Sequence, residues 1–400
     1  MDYPRYVENI INRLEDSGHE AYIVGGSVRD ILLSKEPHDY DVTTSAKPEA
    51  MLEIFADMRT IPTGIKHGTL TVMSEGNPIE VTTFRIDGEY LDSRRPESVI
   101  FTDDVSADLS RRDFTVNAMA YSKKRGIIDV FGGKSDLEKG IIRAVRDPEE
   151  RFREDALRIM RAFRFSSQLG FAIEENTLSA AKKMRSGLAN IAAERIAAEF
   201  IRTICNSTVD TTLKLMDECG VLEYAIGACK PDKKILQALK ASDKTPEIRL
   251  AILLSSTDAD VSESILRSLK LSNKLISDVK RISSQLRAGL SGTVADARRL
   301  IGSSGELIYA IMNAGAALGV LDKDFEGYLK EAIEKNERIT IGALAVHGDD
   351  LIKLGIKGKA VGELLEYLLM AVLEDPTLNN KQELLALAKA KISNNGENNG

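Results

Sequence analysis

Two aspartates separated by one residue are the first candidates for chemistry in this sequence. Asp39 and Asp41 flank Tyr40 in the segment DYDVTT, which is rich in β-branched residues and predicts a strand. Residues two apart in a strand point to the same face. Two carboxylates that face the same way repel each other unless a cation lies between them, and oxygen ligands suit Mg²⁺ or Mn²⁺. The pair therefore predicts a divalent metal site.

A pair of glycines precedes these aspartates. AYIVGG predicts a short buried strand that ends in a tight turn, and SVRDILL then begins a helix. Backbone N–H groups at such a turn and at a helix N-terminus suit phosphate. A metal site beside a phosphate site suits phosphoryl or nucleotidyl transfer. An isolated Asp-x-Asp is more often a solvated strand edge, but the glycine turn at this distance favours catalysis.

A second candidate site lies in the segment EDALR. Asp155 and Arg158 are three residues apart in a predicted helix and would share a face. Cytosine and adenine both present an amino donor beside a ring acceptor, which one Asp acceptor and one Arg donor can satisfy. Guanine and uracil present the reverse order, at about 1–3 kcal/mol per unsatisfied group. An ion pair on a helix face is the alternative interpretation.

Two further arginines extend this face. Arg161 and Arg164 follow at the next turn, and stacked like charges are unfavourable in a purely structural helix. Arginines in this arrangement suit a triphosphate, because a guanidinium donates two parallel hydrogen bonds to phosphate oxygens.

The elements that must position these residues change character at about residue 145. Before it the pattern mixes strands and helices; after it one amphipathic helix follows another. The predicted fold class is multidomain α+β: a mixed α/β head with a small β-sheet, then an all-α remainder.

Composition narrows the class of protein. The 400-residue chain has no apolar run long enough to span a bilayer and no signal peptide, so we expect no membrane partner. Three cysteines without metal-ligand spacing favour reduced thiols and a cytoplasmic location. A net charge of −7 counts mildly against a nucleic-acid partner, but the arginines between residues 143 and 164 form a local basic cluster.

Segments in a fixed order carry a family resemblance. They are GGSVRD, HDYDVTT, TGIKHGTLTV, EVTTFR, RRDFTVNAMAY, DVFGGKSDLEKGIIRAV, DPEERFREDALRIMRAFRFSSQLGF and AAERIAAEF. This series resembles the motifs of class II tRNA nucleotidyltransferases, the CCA-adding enzymes, and of the related bacterial poly(A) polymerases. Both groups belong to the DNA polymerase β nucleotidyltransferase superfamily.

The resemblance implies an activity: template-independent addition of C, C and A to the 3′ end of tRNA from CTP and ATP. It implies that Asp39 and Asp41 are catalytic and hold two Mg²⁺ ions, with Mn²⁺ as a substitute. Glu80 is the candidate third carboxylate, or else a solvated strand residue. The residues implied to bind nucleotide are Gly26, Arg29, Arg112, Asp155, Arg158, Arg161 and Arg164. Asp113 and Asn117 would lie near the ribose or cap a helix. Glu194 and Arg195 would form a structural pair in the region after the head.

The same resemblance divides the chain. We expect a catalytic head at residues 1–145, a base-selecting neck at 146–205, a body at 206–330, a tRNA-binding tail at 331–392 and a disordered end at 393–400. Residues 86–110 would hold a mobile loop that enzymes adding only CC are thought to lack. Lys357 and Lys359 would contact tRNA phosphates or simply lie in a turn. No oligomeric state is predicted.

Four alternatives remain open. An enzyme that adds only the terminal A, a poly(A) polymerase and a small-molecule nucleotidyltransferase are alternatives within the same chemistry. A non-catalytic RNA-binding module is an alternative of another class, and the intact pair Asp39 and Asp41 counts against it.

Overall fold

The computed structural model describes residues 1–88, 99–337 and 339–397. The chain divides into two compact units. The first comprises Met1–Lys230 with Ser268–Lys270, and the second comprises Pro231–Arg267 with Leu271–Gly400. Every residue predicted to bind metal or nucleotide lies in the first unit.

The strands belong to the first unit. In chain order they are β1 (Ala21–Val24), β2 (Asp41–Thr44), β3 (Thr60–Gly64), β4 (Thr69–Ser74), β5 (Asn77–Thr83), β6 (Arg85–Asp87), β7 (Val99–Phe101), β8 (Ala120–Ser122), β9 (Gly126–Ile128), β10 (Ile141–Ile142) and β11 (Ala172–Ile173). Among the described residues, seven of these strands form one sheet in the order β3-β4-β5-β2-β1-β8-β9. β2 and β5 are parallel, and the other neighbours are antiparallel. β6 pairs with β7, and β10 pairs with β11.

Some helices of the first unit pack against this sheet, and others follow it in the chain. In chain order these helices are α1 (Arg5–Asp16), α2 (Gly26–Leu32), α3 (Pro48–Ile54), α4 (Val105–Ser110), α5 (Gly133–Lys139), α6 (Pro148–Glu154), α7 (Leu157–Leu169), α8 (Glu175–Met184), α9 (Ala193–Ile204), α10 (Val209–Glu218) and α11 (Glu223–Ile226). α1 buries Val7, Ile10, Ile11 and Leu14, a spacing that makes one apolar stripe. That stripe belongs to the same core cluster as the buried strand residues, so one face of the sheet is covered.

Helices make up the second unit. After α12 (Lys233–Ala241), α13 (Pro246–Leu253) and α14 (Ala259–Ser268) come α15 (Asn273–Ala288), α16 (Val294–Ser304), α17 (Ile308–Leu318), α18 (Lys323–Glu334), α19 (Gly348–Ile352), α20 (Lys359–Glu374) and α21 (Lys381–Glu397). The last three pack around an apolar cluster that includes Leu351, Leu368 and Leu384. Gly355 and Gly358 take positive φ angles of 87° and 61° in the turn between α19 and α20, a conformation that favours glycine. Lys357 and Lys359 lie in or beside this turn.

The predicted fold class is confirmed: a mixed sheet with helices precedes helical domains. Two details differ from the sequence expectation. Strand β11 lies beyond residue 145, where only helices were expected, and it pairs with β10. Local periodicity does not reveal this long-range contact. Residues 393–397, expected to be disordered, continue α21, because a helix already begun gains one hydrogen bond for each residue added. None of the described helices combines the length and apolar character of a membrane span.

Candidate active site

Asp41 begins β2, and its neighbour across the sheet is Glu80. The parallel pairing of β2 with β5 puts these two residues in register, so their side chains lie on the same face of the sheet. Asp39 lies two residues before β2 and outside it, which corrects the expectation that one strand aligns Asp39 with Asp41. The hydrogen-bonded ladder of β2 begins only at Asp41, paired with Val24 of β1. Asp39, Asp41 and Glu80 are all solvent-exposed.

The Asp41 carboxylate has too little positive charge around it to balance its own charge and that of its acidic neighbours. Desolvation, followed by the charge of Glu80 and that of Asp39, raises the pKa of the Asp41 carboxyl to about 6, and the Arg112 guanidinium offsets this only in part. A carboxylate can touch water and still be poorly solvated when protein atoms fill most of the volume around it. Such a group is suited to bind a cation.

The donor set at this position fits Mg²⁺. Carboxylate oxygens are its preferred protein ligands, and Mg²⁺ is usually held by one or two of them together with substrate phosphates. Within the described part of the chain, no three Asp, Glu, His or Cys side chains converge into a complete metal cage. Phosphate oxygens of a nucleotide would therefore have to complete the coordination.

The glycine turn brings a guanidinium close to the start of α2. Gly25 has a φ of 76° and precedes Gly26, the first residue of α2. A Cβ atom at Gly25 would lie only 3.2 Å from Nη1 of Arg112, so glycine is needed for both the backbone conformation and this approach. The Nε–H of Arg112 is buried and has no hydrogen-bond partner among the described residues.

A buried hydrogen-bond network connects α2 with α7. Nη1 of Arg29 donates to Oδ1 of Asn117 (2.8 Å), and Nδ2 of Asn117 donates to Oδ1 of Asp113 (3.1 Å). Nε of Arg161 in turn donates to Oδ2 of Asp113 (2.7 Å). Burial alone would raise the pKa of Asp113, but the Arg161 charge and the hydrogen bonds from Arg161 and Asn117 lower it to about 2. Asp113 and Asn117 therefore serve as links between two predicted phosphate-binding arginines.

Arg164 is held at the far end of this network. Its Nε donates to Glu199 of α9, and its Nη1 donates to Gln168 (2.9 Å). The guanidinium carbon of Arg164 lies 3.8 Å from the ring centroid of Phe165, and those of Arg29 and Arg161 lie 5.4 and 5.3 Å from it. Desolvation lowers the pKa of Arg164 despite the Glu199 charge. One aromatic ring thus contacts three of the predicted phosphate-binding arginines.

Asp155 lies between two helices and not within one. Its backbone is extended, with φ −143° and ψ 102°, where α6 ends, and α7 begins only at Leu157. The expectation that Asp155 and Arg158 share a helical face is therefore wrong. Oδ1 of Asp155 accepts from the backbone N–H of Leu157 (3.0 Å), a capping contact that competes with a continuous helix.

Asp155 and Arg158 are each held by a different partner. Oδ2 of Asp155 accepts from Nη2 of Arg195 (2.9 Å). Nη1 of Arg158 donates to Oε2 of Glu154 (2.6 Å), and its Nη2 donates to the backbone carbonyl of Arg111 (2.9 Å). Asp155 and Arg158 are both largely shielded from solvent, with side chains 16% and 10% exposed.

The expected pair of Glu194 with Arg195 does not form. Arg195 pairs with Asp155, and Glu194 pairs with Lys270 (2.9 Å). Glu194 and Arg195 are consecutive residues of α9, and consecutive helical side chains point in different directions. Each therefore pairs with a residue outside the helix.

The predicted loop at residues 86–110 is partly structured. β6 pairs with β7 across it, with Ile86 opposite Ile100, and α4 follows. Residues 89–98 of this segment lie outside the described residues.

Relatives of known name match this chain along nearly its whole length. The CCA-adding enzyme of Leuconostoc mesenteroides is 36% identical over 390 residues, which cover 96% of each chain. The CCA-adding enzyme of Geobacillus kaustophilus is 38% identical over 385 residues, which cover 94% of each. This chain belongs to the CCA-adding enzyme family. The resemblance predicted from the motifs is confirmed.

The fold and the domain matches agree with membership of the CCA-adding enzyme family. The crystal structure of the Bacillus stearothermophilus CCA-adding enzyme in complex with CTP superposes with a TM-score of 0.85 at 32% identity, covering 99% of this chain and 100% of that one. Sequence models described as the poly A polymerase head domain and as domain 2 of tRNA nucleotidyltransferase match residues 21–143 and 239–388. A model for an RNA- and SrmB-binding site of polymerase A matches residues 170–228.

Several residues that organise this CCA-adding enzyme site were missed from the sequence. They are Asp108, Glu154, Phe165 and Glu199, each in contact with a predicted nucleotide-binding arginine. Glu154 lies four residues before Arg158, a spacing that the sequence does display. Asp108 likewise lies four residues before Arg112. Glu199 reaches Arg164 only through tertiary folding, and no local pattern marks it.

Proposed function

We propose that this chain adds C, C and A to the 3′ end of tRNA without a nucleic-acid template, using CTP and ATP. The observation that carries the proposal is the strand end at which Asp41 and Glu80 lie in register beside the glycine turn and Arg112. Similarity over nearly the full length to CCA-adding enzymes specifies the product. The alternatives of A-only addition, poly(A) synthesis and RNA binding without catalysis predict other products or none.

Asp39 and Asp41 are the proposed ligands and catalytic residues. They would hold Mg²⁺, or Mn²⁺ in its place, which would supply a Lewis acid to lower the pKa of the RNA 3′-hydroxyl and neutralise phosphate charge. The 3′-hydroxyl gives its proton to water, its oxygen forms a bond to the α-phosphorus, and the bond from that phosphorus to the leaving pyrophosphate breaks. Glu80 adds negative charge at the same strand end, which further favours a cation there.

The arginines and the glycine turn position the nucleotide. We infer that Gly26 and Arg29 contact its phosphates, together with Arg112, Arg161 and Arg164. Guanidinium groups suit this role because they present paired donors in a plane. Three of these arginines contact one ring, that of Phe165, so their arrangement is largely formed before a nucleotide binds.

Asp155 and Arg158 are proposed to select the base. They do not pair with each other, and each keeps hydrogen-bonding capacity beside its protein partners, because a carboxylate oxygen accepts more than one hydrogen bond and a guanidinium has five N–H donors. A base that offers an amino donor beside a ring acceptor satisfies both, as cytosine and adenine do. The helical second unit, with Lys357 and Lys359 at the turn between α19 and α20, is proposed to bind tRNA through the RNA backbone and shape.

The test is to remove the charge of Asp41 without changing its shape. Asp41→Asn abolishes all nucleotide incorporation in an extension assay with Mg²⁺, because one proposed metal ligand loses its charge. Its melting temperature in metal-free buffer stays equal to or above that of the wild type, because desolvation and repulsion by Glu80 disfavour the ionised form. Asp39→Ala also loses incorporation.

The matched control removes a carboxylate elsewhere in the same domain. Asp57 is exposed and pairs with Arg13 (2.5 Å) on the surface, so Asp57→Ala keeps full activity. Incorporation at the wild-type rate by Asp41→Asn would contradict the proposed catalytic site.

A further inference from the structure

A buried carboxylate in α4 has no assigned part in the reaction. Asp108 has no exposed surface. Its Oδ1 accepts from Nε and Nη2 of Arg111 (3.0 and 2.8 Å) and from the backbone N–H of Arg85 (3.3 Å). Its Oδ2 accepts from Nη2 of Arg112 (3.3 Å) and from Oγ1 of Thr43 (3.4 Å).

These contacts connect Asp108 with the elements that form the site. Thr43 belongs to β2, the strand that begins with Asp41, and Arg85 begins β6 directly after β5. Arg112 is the residue whose guanidinium lies against Gly25. Burial alone would raise the pKa of Asp108, but the charges of Arg111 and Arg112 lower it below its ordinary value. The carboxylate is therefore ionised at neutral pH.

We propose that Asp108 is a positioning residue that holds Arg112 beside the glycine turn, where Arg112 binds the phosphates of the incoming nucleotide. An arginine side chain has many rotamers, and a partner that selects one of them lowers the entropy lost when a ligand binds. Because Nε of Arg112 has no hydrogen-bond partner among the described residues, the contact of its Nη2 with Asp108 is a principal constraint on this side chain. The inference rests on the proposed nucleotidyl transfer.

The Oδ1 atom of Asp108 contacts a different part of the site from Oδ2. It holds the side chain of Arg111, whose backbone carbonyl accepts from Nη2 of Arg158 (2.9 Å). The two oxygens thus serve the phosphate-binding Arg112 and the base-selecting Arg158 separately, and one substitution can distinguish them.

Asp108→Asn is the substitution that separates these two roles. An amide keeps one acceptor oxygen and replaces the other with an NH₂ donor. Arg111 and the Arg85 amide provide three donors at Oδ1, whereas Thr43 at Oδ2 can accept a hydrogen bond instead of donating one. The amide nitrogen therefore takes the Oδ2 position, where it faces Arg112 as donor against donor, while the contact with Arg111 persists.

The expected result is a loss of nucleotide affinity without a loss of base choice. In Asp108→Asn the Kd for CTP, measured by calorimetry without tRNA, and the KM for CTP in extension both rise about tenfold, the scale of one charge-assisted contact. The value of kcat and the preference for C and A over G and U stay near those of the wild type. An unchanged Kd and KM would overturn the inference.

A double variant tests whether Asp108 acts through Arg112. If it does, Asp108→Asn has no further effect on kcat/KM in an Arg112→Gln background, since the side chain it positions is gone. This double variant carries no unpaired buried guanidinium at residue 112, so it keeps the test open if Asp108→Asn alone is unstable. A further decrease of the same size in the double variant would overturn the inference.

Asp104→Ala is the control for a general weakening of α4. Asp104 caps this helix by accepting from the backbone N–H of Ser106 (2.8 Å), so its loss lowers the melting temperature and leaves KM unchanged. A rise in KM equal to that of Asp108→Asn would show that helix stability alone is responsible. Failure of the proposed function itself is distinguishable, because the wild type would then neither bind CTP nor extend tRNA.

Discussion

Single residues at the proposed base-selecting site are held by separate neighbours. Arg195 hydrogen-bonds to Asp155, and Glu154 hydrogen-bonds to Arg158. Each partner is itself charged, so each contact restricts a side chain that would otherwise sample several rotamers. The donor and the acceptor proposed to read the base are thus held in place by protein groups before a nucleotide binds.

Loss of the acceptor is expected to weaken the choice among bases. Asp155→Ala removes the group that receives the amino hydrogen of cytosine or adenine, so the preference for CTP and ATP over GTP and UTP decreases by about tenfold or more. The measurement is kcat/KM for each of the four nucleotides on one tRNA substrate. Glu194→Gln serves as the control, since Glu194 contacts Lys270 and not Asp155. Unchanged selectivity in Asp155→Ala would contradict the role of Asp155.

At the scale of elements, the buried network joins three parts of the chain. They are α2, α7 and the segment that follows α4, which contains Asp113. Asp113 is its central acceptor, with Arg161 on one side and Asn117 on the other. The side chain of Asp113 is only 8% exposed, so solvent screens this ion pair far less than a surface pair.

The Asp113 carboxylate predicts a particular pH dependence of stability. Its pKa is about 2 in the folded protein and ordinarily 3.8, so its contribution is complete above pH 3.8 and is lost as the pH falls towards 2. Asp113→Asn therefore costs about 2 kcal/mol at pH 7, and the variant loses less of its remaining stability between pH 4 and pH 2. Urea unfolding of both proteins at a series of pH values measures this. Parallel curves for the wild type and the variant would contradict it.

Local sequence patterns predicted the elements more completely than the contacts between them. A strand after the glycine turn, the turn itself and the helical remainder follow from periodicity and turn chemistry, and the α+β class is confirmed. The strand begins at Asp41 and does not include Asp39 as predicted. The prediction that Asp155 lies within a helix was wrong, because a capping contact to the backbone N–H of Leu157 interrupts the helix there. Glu199 could not be predicted, since its partner Arg164 lies 35 residues away and meets it only in the folded domain. Asp108 and Phe165 lie within four residues of arginines that they contact, a spacing that the sequence displays but that was not used.

At the scale of the whole molecule, the net charge does not describe the charge at the proposed nucleotide site. The chain carries a net charge of −7, yet the arginines proposed to hold nucleotide all lie in the unit Met1–Lys230. Binding of a polyanion depends on such local groups and not on the total charge. Catalysis and nucleotide choice are accordingly proposed to belong to the first unit, and tRNA binding to the helices of the second.

The most direct test of this account is the product of the intact chain on three tRNA transcripts that end before CCA, after the first C and after CC. Each transcript receives Mg²⁺ with CTP alone, ATP alone or both, and the products are resolved to single nucleotides. With both nucleotides present, we expect three additions to the shortest transcript, followed by a stop. A single A added only to the transcript that ends in CC, a long ladder of A residues or no product at all would contradict it.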